Sequence, residues 1–128
     1  HIAFVGDALA PDQPPFLADA DLPGWIESLR PLIQAEYQNF LLVSGRSGLV
    51  AHQQVRQQIQ QLEKIHQQLE NLAAQKAPVN ETRQIVPGLL TDFEIPAERE
   101  VLFRQRLIYG LSQYYIRHYQ PSQDEILD

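Results

Sequence analysis

Apolar positions come in two short unbroken runs and then switch to helical spacing for most of the chain. Ile2-Ala3-Phe4-Val5 is apolar without alternation, which predicts a strand buried on both faces. Phe40-Leu41-Leu42-Val43-Ser44 predicts a second strand, closed by the tight turn Gly45-Arg46-Ser47-Gly48. Between them, residues 8–20 carry Pro11, Pro14 and Pro15 with Asp12 and Asp19, a loop composition. Asp21 is placed to cap a helix with Pro23 in its first turn, and Trp25, Ile26, Leu29, Leu32 and Ile33 form its apolar stripe. Pro31 interrupts that helix, because it has no amide and crowds the preceding turn.

The clearest element runs from Val50 to Gln75. Val55, Ile59, Leu62, His66, Leu69 and Ala73 follow a four-three alternation, with Ile65 and Leu72 widening the stripe and glutamines filling much of the other side. The stripe is too broad for a strict coiled-coil seam, so it predicts packing on a sheet or on the last helix, with His66 at the core edge. Asn80 is expected to cap a short helix that stops near Pro87-Gly88. Pro96 is expected to open a last long helix, with Glu98 and Glu100 near its positive end and Val101, Leu102, Leu107, Ile108, Leu111 and Tyr115 on its apolar side. The tail after Pro121 reads as frayed.

The order strand, loop, helix, strand, glycine turn and three helices predicts an α/β fold. It divides into a βαβ-like unit over residues 1–49 and a helical part over 50–121, together one domain or a domain fragment. Two strands leave edges and one face to be covered, so the chain is expected to be part of something larger. The cover would come from a missing N-terminal half or from homo-oligomers.

Composition narrows the partners. A net charge of −6 offers no basic face to displace counterions, which argues against nucleic acid and anionic membrane. No apolar stretch approaches 18 residues, and no signal peptide is visible, so a cytoplasmic location is expected. Without cysteine there are no disulfides, thiolate metal sites or cysteine nucleophiles. Without methionine, His1 is not expected to be a translational start.

Asp7 is the sharpest candidate for chemistry. It follows a strand and a glycine, where open α/β sheets place ligands, and a carboxylate there can bind a cation or accept a proton. The alternative is an aspartate that caps its own turn. Gly45-Arg46-Ser47-Gly48 holds the equivalent place after the second strand: Arg46 can pin an anion, Ser47 can offer a hydroxyl, and the spacing is not that of a phosphate-binding loop, so the local pattern alone favours a turn that holds no ligand. If the two strands are adjacent and parallel, these candidates share one sheet edge. The histidines do not form a metal set: His52 and His66 sit 14 residues apart on one helix, roughly 20 Å in space. Tyr109, Tyr114, Tyr115 and Tyr119 suit helix packing or a pocket lining.

The strand into Gly6-Asp7, the proline-rich loop, the helix Trp25-Ile26-Glu27-Ser28-Leu29-Arg30 and the strand into Gly45-Arg46-Ser47-Gly48 together resemble the C-terminal half of a metallo-β-lactamase-fold hydrolase. The resemblance covers residues 2–50 and extends along the helix to residue 75. It implies half of an αββα sandwich. It also implies that Asp7 matches the aspartate bridging two metal ions, usually zinc or another divalent metal, and that Arg46 falls at the Gly-His-Gly histidine that binds the second metal. Arginine has no lone pair to give and cannot replace that imidazole. The His-x-His-x-Asp-His ligands belong to the other half of the family's fold. The resemblance therefore implies a hydrolase of a small-molecule substrate in the complete protein, with no tight metal binding by this chain alone. A non-catalytic interaction module derived from the same fold is the alternative.

Overall fold

The computed structural model describes residues 1–6, 15–45, 48–93 and 95–120. Within them the fold is mixed α/β: a small three-stranded sheet and four α-helices. Strand β1 is Ile2–Phe4, β2 is Leu41–Ser44 and β3 is Gly48–Val50, in the order β1-β2-β3. β1 and β2 are parallel, with Ile2 beside Leu41 and Phe4 beside Val43. They are joined by the crossover that contains helix α1, Leu22–Leu29, as the βαβ reading requires. β3 returns antiparallel to β2, with Val43 beside Leu49 and Ser44 beside Gly48. The sequence reading ends the glycine turn at Gly48 and has no third strand. In the structure Gly48 takes φ +72 and opens that strand, so the turn makes a hairpin.

The helical elements follow their local chemistry. The Asp21 carboxylate accepts from the Gly24 amide at 3.3 Å and caps α1. Pro31 converts the chain to a 3-10 turn over Arg30–Ile33, which ends the α-helix where the missing amide predicts. Helix α2 is His52–Ala74, and Val55, Ile59, Leu62, Ile65 and Leu69 are buried along it. His66 sits at the edge of that stripe, its Nε2 3.0 Å from a Glu70 carboxylate oxygen. After α2, Lys76 at φ 57 turns the chain.

Several expectations for the C-terminal part are corrected. Asn80 caps nothing: Pro78 precedes a 3-10 segment, Val79–Ile85, that leads into helix α3, Val86–Leu90. Pro87 and Gly88 lie inside α3, because proline in a first turn loses only an amide that has no helical partner. Likewise Pro96 precedes a 3-10 turn, and helix α4 spans Glu100–Tyr119. Its buried side is Phe103, Leu107, Gly110, Leu111, Tyr114 and Tyr115, while Val101 and Leu102 are exposed.

One apolar cluster joins α1, α2, α3 and α4 to one face of the sheet. Leu42, Ser44 and Val50 are buried on that face. The first residue of α1 and the segment before it are held to α4 by several contacts. Leu17 is fully buried, and its Cβ lies 3.2 Å from where a Cβ on Gly110 would stand. The Leu22 amide donates to the Tyr114 hydroxyl at 3.2 Å. The Arg117 guanidinium donates to the Ala20 carbonyl.

β1 departs most from its sequence reading. A strand covered on both faces was expected, yet Phe4 is 80% exposed and Ile2 55%. The unbroken apolar run is there because one face meets the helices and the other presents apolar side chains that no described element covers.

Candidate functional site

The described residues lead to the sequence candidates without including them. Asp7, Arg46 and Ser47 lie outside the described residues. What is described is the pair of strand ends from which the chain departs for them. Beyond Phe4 the parallel ladder continues, with the Val5 amide donating to the Val43 carbonyl at 2.9 Å. The Gly45 amide then donates to the Gly6 carbonyl at 2.7 Å. Gly6 takes φ +58, a conformation that side chains resist, so the glycine before Asp7 has a backbone reason to be there. Gly6 and Gly45 are thus hydrogen-bonded neighbours at the C-terminal ends of two parallel strands. This is the place where open α/β sheets assemble binding sites.

The structure also gathers a polar group that the sequence reading does not single out. Glu70 on α2 faces His66 and the hydroxyl of Tyr119 on α4. Burial pushes the Tyr119 phenol far above its ordinary range, and the Glu70 charge, which also accepts its hydrogen bond, adds to the shift. Tyr114 stacks on His118 with ring centroids 4.1 Å apart, and Arg117 lies over the Tyr114 ring. The Tyr114 phenol is raised by burial, against the opposing hydrogen bond from Leu22. Tyr115 is raised by burial and donates to the Ala77 carbonyl at 2.6 Å. This cluster ties α4 to α2 and to the segment before α1. The i,i+4 spacing of His66 and Glu70 was the available sequence signal for its α2 side.

His52 and His118 each reach a backbone carbonyl. His52 Nε2 is 2.8 Å from the Tyr37 carbonyl, and His118 Nε2 is 3.2 Å from the Ala20 carbonyl. Among the described residues, no three His, Asp or Glu side chains come together as a metal site would need. Arg46, which like Asp7 lies outside the described residues, has no lone pair to offer a metal. A groove between α1 and α2 is lined by Glu27, Arg30, Glu63, Lys64 and His66, and its lysine and arginine are both ion-paired. Arg30 pairs with Glu27 and Glu63, and Lys64 with Asp92. No described helix is long and apolar enough to cross a membrane.

No protein-family model, curated protein or solved structure matches the chain.

Proposed function

We propose that this chain is the C-terminal part of a metal-dependent hydrolase of the metallo-β-lactamase fold, inert as an isolated chain. The observation that carries the reading is the 2.7 Å hydrogen bond from Gly45 to Gly6, because it sets the turns leading to Asp7 and to Arg46 side by side at one sheet edge. The layering supports it too. Helices cover one face of the sheet, and among the described residues no element covers the other, apolar face, as in half of an αββα sandwich. In the complete protein a bound divalent metal would supply an activated water. Asp7 is the carboxylate this chain brings to that centre, and Arg46 with Ser47 brings a fixed cation and a hydroxyl for an anionic part of a small-molecule substrate. One carboxylate does not retain zinc with useful affinity, so no catalytic step belongs to this chain alone.

A second reading is a non-catalytic interaction module of the same descent. It is favoured by Arg46, which stands where the resemblance requires a ligand histidine.

The coding sequence upstream of His1 separates the two. The hydrolase reading expects a His-x-His-x-Asp-His segment there. It also expects the longer protein to hydrolyse an ester, lactam, thioester or phosphodiester, with activity lost in Asp7→Asn. Absence of that segment together with no hydrolysis establishes the module instead. Calorimetric titration of the isolated chain with zinc is expected to show no stoichiometric uptake, and tight binding would overturn the claim of an incomplete site.

A further inference from the structure

The cross-strand register puts Ile2, Phe4, Leu41, Val43 and Leu49 on one face of the sheet, since residues paired across a ladder point the same way. That face is turned away from the helices: Ile2 is 55% exposed, Phe4 80%, Leu41 56% and Leu49 70%. None of the three strands contains a charged residue, although the chain carries 16 acidic and 10 basic side chains. At its rim the His1 ring lies against Phe40, with centroids 5.2 Å apart, which extends the apolar surface.

We infer that this face is a homodimer interface in the isolated chain, closed by the same face of a second copy. A polar or charged partner would find nothing on it to pair with, whereas a flat uncharged face is complementary to itself under a two-fold axis. Area points the same way. Taking roughly 100–200 Å² for a whole apolar side chain, the exposed fractions give about 500 Å² per copy. Two copies bury about 1,000 Å², which is the lower bound for a specific interface and sets the expectation of a weak, micromolar dimer. Stacked sheets about 10 Å apart would then lie between two helical layers, so the dimer has the layer order α-β-β-α. The inference rests on the sheet face and not on the hydrolase reading, because neither zinc nor any upstream segment enters it.

Sedimentation velocity and light scattering on the 128-residue chain test it. At about 100 μM the expected mass is that of a dimer, which dissociates on dilution through the micromolar range. The double variant Phe4→Lys, Leu49→Lys places like charges across the two-fold axis and should weaken association at least tenfold. Because both side chains are already exposed, its far-ultraviolet circular dichroism should be unchanged. Tyr109→Lys, on the outer side of α4 and 57% exposed, should leave the dimer intact. A wild-type monomer at about 100 μM overturns the inference. So does a dimer that survives the double variant but is lost in Tyr109→Lys, which would move the interface to α4. Open-ended growth in mass would overturn it as well, by showing pairing through the strand edges.

Discussion

The two layers of this molecule hold their apolar residues under opposite conditions. In the helical layer, Leu62, Ile65, Leu69, Leu107 and Tyr114 are buried from several directions at once, by neighbours on other helices. In the sheet, Leu42 and Val50 meet those helices while Phe4 and Leu49 on the reverse face meet solvent. The same residue types therefore stabilise the monomer in one layer and are free for association in the other. Hydrophobic stabilisation scales with the area removed from water, so composition alone does not tell the layers apart.

The largest expected effect comes from the centre of the helical layer. Leu62 is fully buried midway along α2, and Leu62→Ala should cost about 2–5 kcal/mol in urea melts through lost transfer and a cavity. A loss below about 1 kcal/mol would show that the helices relax around the site and that the layer is far looser than its burial suggests.

Next is Gly110, where α4 meets the segment before α1. A Cβ there would stand 3.2 Å from the Leu17 Cβ and 3.4 Å from the Leu17 amide nitrogen. Gly110→Val should cost about 1–3 kcal/mol despite removing a helix-interior glycine, because the obstacle includes backbone. A stabilised variant would show that the segment before α1 can move off α4.

These two sites also show how far the fold was legible. Leu62 lay on the one strongly amphipathic helix, so its burial followed from spacing. α4 is apolar on more than one side, with Leu102, Tyr109 and Ile116 exposed opposite Phe103, Leu107 and Tyr114. Its spacing therefore does not say which side is core, and Val101 and Leu102, expected inside, are exposed. The parallel strands and the break at Pro31 follow from chain order and proline chemistry. β3 is not legible in the sequence because three residues directly after a glycine turn carry too little pattern. For β1, a continuous apolar run looks the same whether or not its second face is covered from within the chain, so double burial does not follow from it. As for the candidate site, its reading depends on the two strands being parallel neighbours, which they are, while Asp7, Arg46 and Ser47 lie outside the described residues.

A smaller effect is expected at Tyr114. Its hydroxyl accepts from the Leu22 amide, which begins α1 and has no helical partner of its own. Tyr114→Phe leaves that buried donor unpaired and should cost about 1–2 kcal/mol. Tyr115→Phe should cost less, about 0.5–1 kcal/mol, because the Ala77 carbonyl keeps a second donor in Gln120 at 3.0 Å. Equal losses would mean that packing around the two rings, not the hydroxyl bonds, sets the cost.

The same tyrosines predict the pH behaviour. Burial first, and for Tyr119 the Glu70 charge as well, raise all three phenols above 10.0 in the folded chain. The folded state then holds protons that the unfolded chain has released. Their contribution is fully present below pH 10.0 and is lost as pH climbs from there toward the folded values. Urea midpoints should show no tyrosine contribution to any change between about pH 7 and 9 and should fall above about pH 10, less so in Tyr119→Phe. A midpoint that rises in that alkaline range would contradict the burial of these phenols.

The smallest effect is expected on the bare face. Phe4 is 80% exposed, so Phe4→Ser removes little that folding had taken from water. Measured near 1 μM, where a micromolar dimer is mostly dissociated, the change in stability should stay within about 0.5 kcal/mol. At about 100 μM the comparison should open up, because a partner that binds only the folded chain adds apparent stability to the wild type and not to the variant. Concentration is therefore the variable that separates the two layers. Leu62→Ala should cost nearly the same amount at both concentrations, while Phe4→Ser should be neutral at the lower one and destabilising at the higher. A Phe4→Ser loss above about 1 kcal/mol at the lower concentration would mean that β1 is held by its outer face within the monomer, and the contrast between the layers would fail.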